Sequence, residues 1–258
     1  MKNSLLALMS GLLICIPIWI SAQNTYVINE SSGKLVIHDV KRVTLVGTSD
    51  NKVTIEIEGD SLNSPKKAKG LKLISPSGIE DNTGIGLEVT KAGNTTTVRK
   101  VSNRKGKRYI FKVPASMLVH YEASGWDVGK LIIKDVKAEL DVSVSYNHVE
   151  LSGVTGPMAI HTVYGSIDAK FATISQEGPI SLYSVYSSVD VAVPASAKAD
   201  FKLKASYGDV YSDLDLEYPV NDEGMRNLSG KDMSAKANGG GVDFTLKSSY
   251  GNIYLRKK

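Results

Sequence analysis

The chain has 258 residues, a net charge of +4, 42% hydrophobic and 22% charged residues. That composition suits a folded globular protein and excludes a disordered chain. The charges are interspersed, no nucleic-acid motif accompanies them, and a nucleic-acid partner is not expected.

Residues 1–23 read as a signal peptide: Lys2 gives a positive start, Leu5 to Ile20 an apolar stretch, and Ser21-Ala22-Gln23 a small-residue end. The stretch is short for a span, contains Pro17 and has no stop-transfer charges, so no retained transmembrane segment is expected. Cys15 is preceded by Leu12-Leu13-Ile14, which does not fit a lipid-modified cleavage point, and lies within the apolar stretch. The exported chain would then have no cysteine and no disulfide.

From residue 24 onward nearly every segment alternates. Lys34–Ile37, Arg42–Val46, Lys52–Glu58, Leu71–Ile74, Gly86–Thr90 and Arg108–Val113 read as short strands bounded by Gly, Asn, Asp and Ser. Ser61 to Lys69 reads as a polar loop, and Ser102 to Lys107 as a hairpin turn within a basic stretch containing Arg99, Lys100, Arg104, Lys105, Lys107 and Arg108. No amphipathic helix is evident. We divide the mature chain into a β-rich part, 24–112, and a repeat-containing part, 113–258, with an insertion near 213–241 that reads as a loop or a degenerate repeat.

The repeat centres on Tyr146, Tyr164, Tyr186, Tyr207 and Tyr250. Each is followed by Asn, Gly, Ser, Gly or Gly, residues that favour tight turns or tolerate positive φ. Six residues before each tyrosine stand Leu140, Met158, Ile180, Phe201 and Phe244; three after stand Val149, Ile167, Val189, Val210 and Ile253. Period two puts each set on one side of its strand. The unit is strand, corner, strand. One such unit cannot bury enough apolar surface to offset the entropy of ordering it, so copies must pack on one another. The expectation is an all-β, single-stranded β-solenoid of about eight stacked coils of about 20 residues. A β-sandwich also accommodates such strands, but does not require a recurring corner.

These residues carry a resemblance. A leader, a Val113-Pro114-Ala115-Ser116 segment and stacked Ser-x-Tyr-Gly-x-Ile/Val repeats resemble the bacterial β-strand-repeat proteins labelled putative adhesins, common in Bacteroidetes and otherwise a domain of unknown function. The resemblance spans roughly Gly33 to Leu255. It implies a cell-envelope role, with Asn147 and Ser187 replacing the corner glycine usual in that family.

Four positions after the tyrosine, Glu150, Asp168 and Asp190 align, followed by Tyr211 and Tyr254. Stacked, the three acids form a column that acid/base chemistry on a polysaccharide or calcium could use. Alternation instead points them outward as a solvated column. The aligned tyrosines are either a structural aromatic ladder or a row against which a glycan or extended peptide could pack. A second set, Tyr183, Tyr211, Tyr218 and Tyr254, lies near the insertion. His38, His120, His148 and His161 have no metal spacing, and neither a nucleophile elbow nor a phosphate-binding glycine loop is present. The sequence therefore points to a non-enzymatic, adhesin-like binding or structural protein, exported to the periplasm or cell surface. It carries no cofactor, and its partner is unknown, with a glycan or an envelope protein as candidates. The alternatives are an envelope polysaccharide enzyme using the acids and a periplasmic protein-binding accessory.

Overall fold

A computed structural model describes residues 24–58, 66–68, 70–101, 107–126, 129–219 and 232–258. The expected signal peptide, most of the Ser102–Lys107 turn and the middle of the insertion lie outside the described residues. The alternating segments form twenty strands: β1 (Thr25–Ile28), β2 (Gly33–His38), β3 (Val43–Thr48), β4 (Val53–Glu58), β5 (Leu87–Ala92), β6 (Thr95–Lys100), β7 (Arg108–Pro114), β8 (Met117–Ala123), β9 (Leu131–Lys134), β10 (Glu139–Val144), β11 (Val149–Val154), β12 (Met158–Thr162), β13 (Ile167–Phe171), β14 (Ile180–Ser184), β15 (Val189–Val193), β16 (Ala199–Ala205), β17 (Val210–Ser212), β18 (Asp232–Ala237), β19 (Val242–Ser248) and β20 (Ile253–Lys257).

They make two ten-stranded mixed sheets. The first runs β1-β4-β7-β3-β9-β11-β13-β15-β20-β17, the second β18-β16-β19-β14-β12-β10-β8-β2-β6-β5. Alternate residues of each strand point into one shared core, as in β14, where Ile180, Leu182 and Ser184 are buried and Ser181 and Tyr183 are not. Phe171 of the first sheet meets Phe244 of the second edge-to-face, 5.2 Å between centroids. Apolar burial across the space between the sheets is what holds them together.

This corrects the expected single-stranded β-solenoid. The sheets are mixed and not closed: β1 and β4, β4 and β7, β5 and β6, and β16 and β18 pair antiparallel. Nor do the repeats stack in chain order. The last one, β19 and β20, sits between β14–β15 and β16–β17, so Phe244 pairs with both Ile180 and Phe201. Part of the insertion, β18, runs antiparallel along β16. Its Ala235 and Ala237 are buried, so a partly apolar strand was available to cover an edge that parallel stacking would leave bare.

Candidate functional site

The recurring corner is where β10, β12, β14, β19 and β16 leave the second sheet and turn into the first. Two residues before the tyrosine, Thr162, Ser184 and Ser248 point inward and are fully buried. Each hydroxyl has two partners. Ser184 Oγ donates to the Gly165 carbonyl of the neighbouring corner at 2.8 Å and accepts from Ser187 N–H at 3.1 Å. Ser248 donates to the Ser187 carbonyl and accepts from Gly251 N–H; Thr162 donates to the Asn147 carbonyl and accepts from Gly165 N–H. The hydroxyls thus satisfy backbone groups that the turn takes out of the sheet ladder. At the ends of the series Val144 and Ala205 stand in the same place without a hydroxyl.

The corner glycines serve close approach rather than positive φ. A Cβ on Gly165 would lie 1.6 Å from the Asn147 carbonyl oxygen, one on Gly208 2.2 Å from that of Gly251, and one on Gly251 2.4 Å from that of Ser187. None of the three has a positive φ. Asn147, at the first corner, is buried and donates to the Gly129 carbonyl at 2.7 Å.

Outside these corners the five tyrosines form one column, in the spatial order 146, 164, 186, 250, 207. Successive centroids lie 4.8, 4.9, 5.1 and 4.8 Å apart, with planes within 14° of parallel. The pitch is that of neighbouring strands, so the rigid sheet sets it. The tyrosines are 49–73% exposed; Tyr207, at one end of the column, is the most exposed and Tyr146, at the other, the least. Stacking occupies the ring faces, which leaves the edges as the outward surface of the column.

The three acids do align: Ile132, Glu150, Asp168, Asp190, Tyr254 and Tyr211 are successive register partners on the outer face of the first sheet. Each acid has a cation or imidazole. Lys130 bonds Glu150, His148 Nε2 is 3.2 Å from Asp168, and Arg256 grips Asp190 with two bonds of 2.8 and 2.9 Å. The hydrogen bond from Lys130 pulls the Glu150 carboxyl below its usual range; partial burial opposes it, and the charges of Lys130, His148 and Lys170 add to it. The bond to Asp190 likewise holds the Arg256 guanidinium more firmly protonated. A general acid needs a carboxyl that keeps its proton near neutrality, and Glu150 is shifted the other way. A shallow depression of about 410 Å³ lies over these residues. Its chemistry is that of a solvated, charge-compensated face, as alternation predicts.

The second aromatic set is not brought together. Tyr211 and Tyr254 stack at 5.4 Å on the first sheet. Tyr183 lies on the second, stacked on His161 at 4.9 Å with Lys247 over its ring at 4.4 Å. Tyr218 lines a separate depression of about 390 Å³ beside β16 and β18. His38, His120 and His148 face carboxylates, and among the described residues no group of three or more His, Cys, Asp or Glu could hold a metal ion. The sequence aligns the series Val144, Thr162, Ser184, Ala205 and Ser248 on one side of the strands, but does not show the bonds that its hydroxyls make. Their signal was a Ser or Thr recurring at a position that period two places inside.

No family model matches the chain, and no curated protein matches it. Two solved structures are similar to it. One is described as a "putative cell adhesion protein" from Clostridium sporogenes ATCC 15579, 11% identical, with a TM-score of 0.44, covering 91% of this chain and 99% of that one. The other is a "putative adhesin" from Bacteroides fragilis NCTC 9343, 11% identical, with a TM-score of 0.29, covering 91% and 96%. Among the described residues no helix is long and apolar enough to cross a membrane.

Proposed function

We propose that this chain is a non-enzymatic, adhesin-like protein of the cell envelope, exported by its leader, that holds an extended, periodic ligand along the tyrosine column. The observation that carries the reading is the column itself: five exposed rings at an even 4.8–5.1 Å pitch, about 20 Å from end to end, on corners fixed by buried hydrogen bonds. Because the ring faces cover one another, the repeated feature on offer is an edge bearing a phenol hydroxyl. Two residues beyond the tyrosines, Ser166, Ser188, Asn252 and Asp209 follow the same register, their carbonyls accepting from the neighbouring strand. A ligand whose own repeat is close to the strand spacing, as in an extended β-linked glycan, meets the same groups at each step. Many weak contacts then add without ordering any loop of the protein.

Sedimentation with insoluble linear glycans tests the reading. The chain should pellet with a glycan of matching repeat, and Tyr186→Ala, which splits the column at its centre, should weaken binding about tenfold or more through lost multivalency. Equal binding by that variant would overturn the role of the column. Protease shaving of intact cells, with a periplasmic control, tests the location. Digestion places the protein on the surface; protection places it behind the outer barrier and removes the adhesive role.

A further inference from the structure

Between β4 and β5 the chain leaves the sheets as a short arm that carries Leu71, Leu73 and Ile74, exposed by 73%, 39% and 57%. Apart from Val27, every other exposed large hydrophobic residue among those described is aromatic. Three neighbouring aliphatics in water are unfavourable, and a slack loop would fold them inward. Here hydrogen bonds hold them out. Asp81 N–H donates to the Leu73 carbonyl at 2.8 Å and Ser75 N–H to the Ile79 carbonyl at 2.8 Å, while Lys72 and Glu80 pair at 2.9 Å across the arm. At the base, the Asp81 carboxylate accepts from Thr83 N–H and its hydroxyl, Gly84 N–H and Gly86 N–H, all at 2.8–2.9 Å. Ile85 and Leu87 then anchor the arm in the core.

Residues 66–74 contain four lysines, 66, 67, 69 and 72, and no acid; the returning half adds Glu80, paired with Lys72, and Asp81, whose carboxylate is taken up by backbone N–H groups, so residues 66–86 stay net positive at +2. Protein-binding hot spots favour Trp, Tyr and Arg set in pockets. This feature is a projecting tip with aliphatic side chains and lysines, the composition that suits the acyl boundary and the anionic headgroups of a bilayer. We propose that the arm is a lipid-contacting tip, in which Leu71, Leu73 and Ile74 enter an anionic phospholipid surface and Lys67 meets its headgroups. The arm leaves the sheets at the end opposite Tyr207, and the inference does not depend on the ligand of the tyrosine column.

The test is co-sedimentation of residues 24–258, which hold both sheets entire, with vesicles of phosphatidylglycerol and phosphatidylethanolamine and, separately, of phosphatidylcholine. The protein should pellet with the anionic vesicles, and more weakly in high salt. Changing Leu71, Leu73 and Ile74 together to Ser should weaken binding about tenfold or more without moving the unfolding midpoint, because the three side chains are exposed. Lys67→Glu, which leaves the apolar tip and the Lys72–Glu80 pair intact, should weaken the preference for anionic vesicles. Failure to pellet with either vesicle, or unchanged binding by both variants, would overturn the proposal.

Discussion

Ahead of the five corners Tyr109 and Tyr121 are buried, and their hydroxyls donate to the Ile85 and Val40 carbonyls at 2.9 and 2.8 Å. In the repeat-containing part the column tyrosines stand outside, and buried Ser and Thr hydroxyls do the equivalent work within. The difference follows from distance. Where corners recur one strand spacing apart, a short hydroxyl reaches the next carbonyl. Where loops are irregular, only a long side chain spans the gap, and it must be buried to do so. Regular packing therefore frees the aromatic residue for the surface, whereas irregular packing keeps it inside.

The comparison breaks most readily at the close approaches. Gly165→Ala drives a Cβ into the Asn147 carbonyl, and the loss should be about 3 kcal/mol or more by chemical denaturation. Tyr121→Phe removes the buried donor to Val40 and should cost about 1–3 kcal/mol. Burial, with Asp39 a lesser cause for Tyr121 and Asp81 for Tyr109, raises both phenol pKa values well above the ordinary range. The folded state then holds these protons more tightly than the unfolded chain does. Their contribution is complete below the ordinary tyrosine value of about 10 and declines as pH rises beyond it. Stability measured against pH should fall on that alkaline limb, and less steeply in Tyr109→Phe and Tyr121→Phe.

The hydroxyl series sharpens the comparison from the other side. Ser184→Ala leaves the Gly165 carbonyl and Ser187 N–H short of a partner and should cost about 1–2 kcal/mol. Ala205→Ser, which supplies the missing member at the buried end position, should gain about 0.5–1 kcal/mol if the corners are equivalent. The smallest effect is expected of Tyr186→Ala, about 1 kcal/mol, because a half-exposed ring contributes little beyond its two stacking contacts. A larger loss would mean that the column is chiefly a structural brace.

Although Leu71–Ile74 also reads as a strand and makes only an isolated bridge from Ile74 to Glu80, most of the strands, their inward faces and the alignment of Leu140, Met158, Ile180, Phe201 and Phe244 were legible because period two is a local property of the sequence. So was the outward acid column. The spatial order of the repeats was not. Corners as alike as Ser184-Val185-Tyr186-Ser187 and Ser248-Ser249-Tyr250-Gly251 fit against each other as well as chain neighbours do, and the 43-residue gap before Tyr250 does not say which neighbour it joins. The antiparallel flanks were hidden for a related reason, since alternation is the same whichever way a strand runs. The reason for the corner glycines was misread in the sequence, because close approach and positive φ select the same residue.

The placement of the last repeat fixes an order of assembly. β16, β17 and β18 reach the rest of the sheets through β19 and β20, which are their partners on the side facing the body. Until residues 242–257 arrive, that unit lacks its final partners, and β14 and β15 lack theirs on that side. A chain that folds as it emerges from its N-terminus must therefore hold residues 199–241 out of their final place until its last strands follow. The last strands to emerge act as the keystone, inserted between two courses already laid.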